Sequence, residues 1–226
     1  MPDADLRGAV GDGAVFVTGG GGSVAPFIAA DFLDSGRRVV LFDRPDKEAR
    51  VVDRLPRFAS DATALNLFVR GVDLASEGDV ARGFAAAQEL AGPCDALINM
   101  AGGFSMAPAV ESGVSELDAM LDVNLRSAVN ATRAVLPGML ERGDGFVLAI
   151  GAGAALAPAP GRNAYAAAKA AVSAYFGSLA AEVGPRGVRV AVLHPMGTID
   201  TPANRSAMPD ADPATWISMD AMVEAV

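Results

Sequence analysis

Six short apolar runs recur along the chain, most followed by a longer stretch with helical periodicity. The runs cover 14–18, 38–43, 66–72, 95–99, 145–150 and 187–194, and helical patterns fill about 23–36, 46–58, 76–91, 115–141 and 163–183. Strand and helix in strict alternation predict parallel strands, because a parallel pair needs a crossover and a helix is the usual one. Runs such as Val39-Val40-Leu41-Phe42 and Phe146-Val147-Leu148-Ala149-Ile150 are apolar at every position, not every second one. That marks strands covered on both faces. The predicted architecture is α/β: one domain over 1–226, a doubly wound parallel sheet in three α/β/α layers, with 1–12 as a flexible lead-in. Ligands of such sheets sit beyond the carboxyl ends of the strands, so the chemistry is sought just after each run.

Composition narrows the partners. The formal net charge is −9, which argues against nucleic acid and against an anionic membrane surface. A hydrophobic fraction of 51% gives enough side chain for a sizeable core, and no run is long enough for a membrane span. One cysteine (Cys94) excludes an internal disulfide framework, and one histidine (His194) leaves no His cluster for a metal, so none is expected. These counts suit a reducing cytoplasm, and the expected partner is a small-molecule substrate.

After the first run the chain reads Thr18-Gly19-Gly20-Gly21-Gly22-Ser23-Val24-Ala25. Gly20, Gly22 and Ala25 fit G-x-G-x-x-G/A between a strand and a helix. Such a turn lets the backbone approach a pyrophosphate, and the helix N-terminus offers it N–H groups. The second run ends in Asp43, 24 residues after Gly19. A carboxylate there accepts hydrogen bonds from ribose hydroxyls and repels a 2′-phosphate, which favours NAD, with NADH preferred, over NADP. Arg44 follows it and could bind a phosphate, so NADP stays open. Asp73, after the third run, meets an adenine edge or caps the helix that begins near Ser76.

Tyr165 and Lys169 lie at i, i+4 on a predicted helix, side by side one turn apart. A phenol titrates near 10, and a neighbouring ammonium lowers that value. The pair can therefore act as an acid/base unit.

These features together resemble the short-chain dehydrogenase/reductase family, from Ala14 to the last residue. The motifs are the Thr18–Ala25 turn, Asp73-Leu74, Asn99-Met100-Ala101-Gly102 after the fourth run, Asn124, the Tyr165/Lys169 pair and the Pro195 turn. The resemblance implies a Rossmann fold and hydride transfer at a nicotinamide, with Tyr165, Lys169 and Asn124 catalytic. Lys169 would hold the nicotinamide ribose and tune Tyr165, and Asn124 would interrupt its helix and order a water. Gly19, Gly20, Gly22, Ser23, Val24, Asp43, Asp73, Leu74, Asn99, Ala101, Gly102, Pro195 and Thr198 would join Tyr165 and Lys169 around the cofactor. Homodimers or homotetramers packed through the Ala-rich helix 163–183 are implied as well.

Three departures from the family pattern involve four positions. Ser23 and Ala25 stand where glycines are usual, and Met100 stands where a second asparagine is usual. Ala152 occupies the place of the catalytic serine, 13 residues before Tyr165, and no Ser or Thr lies between Val147 and Tyr165. Alanine at Ala152, the glycine run and the stretch 198–216 resemble the dihydropteridine reductase branch. There NADH reduces a quinonoid dihydropterin, an activated substrate that needs less help than a ketone. Phe104, Ala152, Met196 and Trp216 are the expected substrate contacts, although ordinary packing for Phe104 remains open. The segment 196–216 is expected to act as a lid. Family members run on through a further helix and a seventh strand, so the chain is either a shortened form or part of a longer one. Two other readings stay in play: a dehydrogenase of a small carbonyl or alcohol, and a dinucleotide-binding sensor without turnover.

Overall fold

The computed structural model describes residues 13–48, 51, 66–157 and 159–226. The lead-in 1–12 and most of the expected helix 46–58 lie outside the described residues. Six strands form one parallel sheet: β1 (Ala14–Thr18), β2 (Arg38–Asp43), β3 (Leu67–Gly71), β4 (Cys94–Asn99), β5 (Gly145–Ile150) and β6 (Val188–Leu193), in the order β3-β2-β1-β4-β5-β6. The order reverses between β1 and β4. Crossovers leave in opposite directions there, and a crevice opens at the carboxyl ends of those two strands.

Alternation along β1 explains both layers. Ala14 and Phe16 enter one core; Val15 and Val17 enter the other. The first core lies under α2 (Glu77–Ala91), α4 (Ser127–Arg142) and α5 (Asn163–Val183). Phe42 stacks on Phe84 at 4.1 Å between centroids, and Phe16 meets Phe84 edge-on at 5.7 Å. The second core is covered by α1 (Ala25–Asp34), through Ile28, Phe32 and Leu33, and by α7 (Met219–Glu224).

The expected single helix 115–141 is instead two helices joined by a wider turn. Helix α3 (Val114–Leu121) passes through a π-helical turn, Asp122–Arg126, into α4. One extra residue per turn pushes Asn124 inward, where it is buried. The C-terminal stretch carries α6 (Pro202–Ala207) and α7, and α7 packs against α1. Paired hydrogen bonds close the base of the stretch: Asp200 N–H to Ile217 O at 2.9 Å, and Ile217 N–H to Thr198 O at 2.8 Å. No helix among the described residues is long and apolar enough to cross a membrane.

Candidate active site

A cleft of about 680 Å³ opens where the strand order reverses. The turn after β1 forms one wall. Gly19 adopts φ +73°, and a Cβ there would stand 2.9 Å from the backbone of Ala101. Only glycine lets the turn lie this close to the loop after β4. Thr18 fixes the same approach from below, its Oγ1 accepting from the Ala101 N–H at 3.0 Å. Helix α1 then begins at Val24 with no side chain capping its first N–H groups.

Asp43 ends β2 at the cleft. Its Oδ2 accepts from the Gly21 N–H at 2.6 Å and its Oδ1 from the Arg44 N–H at 2.8 Å. The side chain of Arg44 turns to Asp46 in a two-pronged pair, Nε–Oδ1 3.0 Å and Nη2–Oδ2 2.8 Å. That hydrogen bond holds the Asp46 carboxyl below its ordinary range. Asp73 and Leu74 line the cleft beside Asp43. Ser76 caps α2, its Oγ accepting from Asp79 N–H, while Asp73 makes a local turn to the Ala75 N–H. The capping alternative for Asp73 is thereby removed. Ala101 and Gly102 line the far end, together with Asp122 and Val123, which sequence reasoning missed. Their position depends on the π-helical turn, and a helical period of 3.6 carries no signal for it. Gly20 lies behind the wall, where a Cβ would press on Leu41.

The cleft ends at Gly102, and the catalytic candidates begin there. A Cβ on Gly102 would come within 2.9 Å of Asn124 Oδ1 and 3.5 Å of Lys169 Nζ. Asn124 clamps the loop after β4. Its Nδ2 donates to Gly103 O (3.1 Å) and Met120 O (3.0 Å), and its Oδ1 accepts from Gly103 N–H (3.2 Å). Lys169 is buried and donates to Ile150 O at 2.8 Å; burial lowers its ammonium to about 8. Tyr165 stands one turn before it, with Lys169 Nζ 6.0 Å from the ring centroid. Burial raises the phenol above its ordinary value, and only the charge of Arg162 works against that. The Lys169 ammonium donates to Ile150 O and not to the phenol. Asn99 is buried at the end of β4, its Nδ2 on Thr132 Oγ1 at 3.3 Å. It supports the loop from beneath.

Of the substrate candidates, Phe104 meets Tyr165 directly. Phe104 packs edge-on against it, centroids 4.9 Å apart at 75°, and is 58% exposed. Ala152 is buried and brings no hydroxyl. Met196, 68% exposed, lies over Gly153 just past the Pro195 turn. Thr198 and Trp216 sit farther along the segment, half-buried; Thr198 O accepts from the Ile217 N–H at 2.8 Å, and the Trp216 N–H donates to Pro213 O at 3.1 Å. His194 packs on Gly151, its Nε2 2.9 Å from Ser173 Oγ, in a structural setting.

The residues fit a dinucleotide. A glycine turn, the N-terminus of α1 and a carboxylate at the end of β2 lead along one cleft to a phenol and an ammonium. The family profile described as short chain dehydrogenase matches residues 13–212. The chain belongs to the short-chain dehydrogenase family. It is 31% identical over 198 residues to the oxidoreductase UcpA of Salmonella typhimurium, covering 87% of this chain and 73% of that protein. It is 30% identical over 182 residues to the NADP-dependent 3-hydroxy acid dehydrogenase YdfG of Shigella flexneri, covering 80% and 71%. A short-chain type dehydrogenase/reductase from Mycobacterium ulcerans superposes with a TM-score of 0.85 at 23% identity, over 96% of this chain and 82% of that one. This short-chain dehydrogenase is thus an NAD(P)-dependent oxidoreductase acting on small molecules.

Proposed function

We propose that this enzyme reduces a small activated substrate, a quinonoid dihydropterin or a compound of similar reactivity, with NADH in preference to NADPH. The observation that carries the reading is the Tyr165/Lys169 pair where the cleft ends, beside a position 152 that has no hydroxyl. When bound, the nicotinamide supplies the hydride. Tyr165 supplies the proton from its Oη to the reduced atom of the substrate. Its raised pKa keeps the phenol protonated at neutral pH, the form a donor needs. Lys169, cationic at neutral pH on the lower side of about 8, holds the nicotinamide ribose and passes a proton on to Tyr165. Asn124 is a positioning residue: it fixes the loop that carries Gly102 and Gly103, and its free acceptor capacity orders a water.

Without a hydroxyl at Ala152, nothing in the local sequence polarises an unactivated ketone. A quinonoid ring, driven by the gain of aromatic or amide stabilisation, needs less of that help. The preference for NADH rests on Asp43, whose carboxylate faces the ribose end, and on Asp46, which neutralises Arg44. Phe104, Met196 and Trp216 shape the substrate side, and segment 196–216 closes over it as a lid. A row of exposed small residues on α5, Ala167, Ala170, Ala174 and Gly177, suits close packing with a second copy in a dimer or tetramer.

A panel of quinonoid dihydropterins, quinones and simple ketones, each with NADH and NADPH, tests the reading. Turnover is expected to be fastest for activated substrates and with NADH. Equal rates for simple ketones, or a preference for NADPH, would reject it. Ketone turnover would favour the second reading, a dehydrogenase of small carbonyls, to which the hydroxy acid named for YdfG lends weight.

A further inference from the structure

We propose that the substrate carries a carboxylate or another small oxyanion, and that Arg162 recognises it. The inference rests on the reading of Tyr165 as the proton-transferring group and deepens it by adding a substrate class.

Arg162 lies three residues before Tyr165, just ahead of α5. Its guanidinium stands 5.9 Å from the centroid of the Phe104 ring, and that same ring packs against Tyr165. One aromatic side chain therefore joins the cation to the phenol. The field of Arg162 reaches the reacting group, since its charge opposes the upward shift of the phenol. Among the described residues Arg162 has no acidic partner. Other cations of the region do: Arg44 is held by Asp46, Arg126 by Asp122 and Arg205 by Asp200. In a chain of net charge −9, an unpaired guanidinium beside the catalytic phenol stands out against its background.

The neighbours say what it meets. Met106, 64% exposed, packs on Gly161, and the Ala107 N–H donates to Gly161 O at 2.9 Å, so the loop after β4 is fastened next to Arg162. Phe104, Met106 and Met196 are apolar, and Ala152 adds no polar group. The mouth thus offers an apolar wall and one planar cation. A guanidinium fork binds a carboxylate, sulfonate or phosphate through two parallel hydrogen bonds. The guanidinium and the phenol ring both neighbour the Phe104 ring, 5.9 and 4.9 Å from its centroid, so an anion held by Arg162 belongs to the same small substrate as the carbon that is reduced. The expected class is an apolar or planar carbonyl or quinonoid compound with an acidic group close by.

The test compares wild type, Arg162→Gln and Arg162→Lys with NADH on benzoylformate and its methyl ester, which differ in charge and by one methyl group. Calorimetry in the presence of NAD⁺ compares phenylacetate with phenylacetamide. Wild type is expected to prefer the acid in kcat/KM, and Arg162→Gln to lower the acid-to-ester ratio about 10- to 100-fold, the scale of a charge-assisted hydrogen bond. Arg162→Lys is expected to recover part of the preference. If neither carbonyl compound is reduced, the calorimetry decides: phenylacetate binding more tightly than the amide, and losing that advantage in Arg162→Gln, supports the proposal. Acid and ester, or acid and amide, handled alike by wild type would overturn it, as would a ratio unmoved by Arg162→Gln. Failure of the underlying reading looks different: turnover that survives Tyr165→Phe while the carboxylate preference still depends on Arg162.

Discussion

The two halves of the cleft are built by different rules. The nucleotide half is made of backbone: a left-handed Gly19 against Ala101, a carboxylate stapled to Gly21, and strand ends with buried side chains. The half proposed for the substrate is made of side chains that stand in solvent, Phe104, Met106 and Met196, with the buried Lys169 and the half-buried Tyr165 at the seam. Backbone geometry tolerates few residues, whereas an exposed apolar wall tolerates many. The first half therefore fixes the cofactor class, and the second is free to set the substrate.

Substitutions sharpen that contrast. Gly19→Val should do the most damage. A Cβ at φ +73° costs about 1–2 kcal/mol, and here it also strikes backbone at 2.9 Å. Titration should find NADH binding weaker by roughly 100-fold or more, nearly 3 kcal/mol at about 1.4 kcal/mol per tenfold. Binding within threefold of wild type would break the comparison on its firmer side.

Lys169 at the seam should show itself in stability. Its folded value of about 8 lies below the ordinary 10.5, so the unfolded chain binds more protons between these values. Wild-type stability relative to Lys169→Met should therefore rise as pH goes from about 8 to 10.5, and be lowest below 8. The full change is at most about 3.5 kcal/mol, at about 1.4 kcal/mol per pKa unit. Titration of Tyr165, whose value is also shifted, occurs in both proteins and cancels in the difference. Urea unfolding across this range gives the answer, and a difference that is flat with pH would refute the buried ammonium.

Met196→Ala should do least. Its side chain is mostly exposed, so stability should stay within about 0.5 kcal/mol and NADH binding should hold. Only KM for an apolar substrate should rise, by about tenfold at most. A large loss of stability in thermal unfolding would show that the substrate wall is structural after all.

The same contrast explains what could be read from the chain. Strands β1, β2 and β5 match the apolar runs residue for residue, because a doubly covered strand leaves an unbroken hydrophobic signature. The turn at Gly19 and the acid that ends β2 at Asp43 were legible for a related reason: close backbone approach and a carboxylate that accepts backbone N–H groups leave few choices of residue. The π-helical turn was legible only through family resemblance, since its widened period has no compositional mark. Thr18 as a support for Ala101, the closing of Arg44 by Asp46, and Arg162 beside Phe104 were not legible. Each is a contact of side chains brought together by the crossovers, and neither periodicity nor spacing encodes it. One helical turn puts Tyr165 and Lys169 side by side, but the carbonyl of Ile150, on another element, takes the ammonium.

Single-turnover reduction at saturating NADH, wild type against Tyr165→Phe, bears most directly on the central claim that a phenol delivers the proton as hydride crosses. The account predicts a rate about 100- to 10,000-fold lower in the variant. An unchanged rate with the same substrate would contradict it.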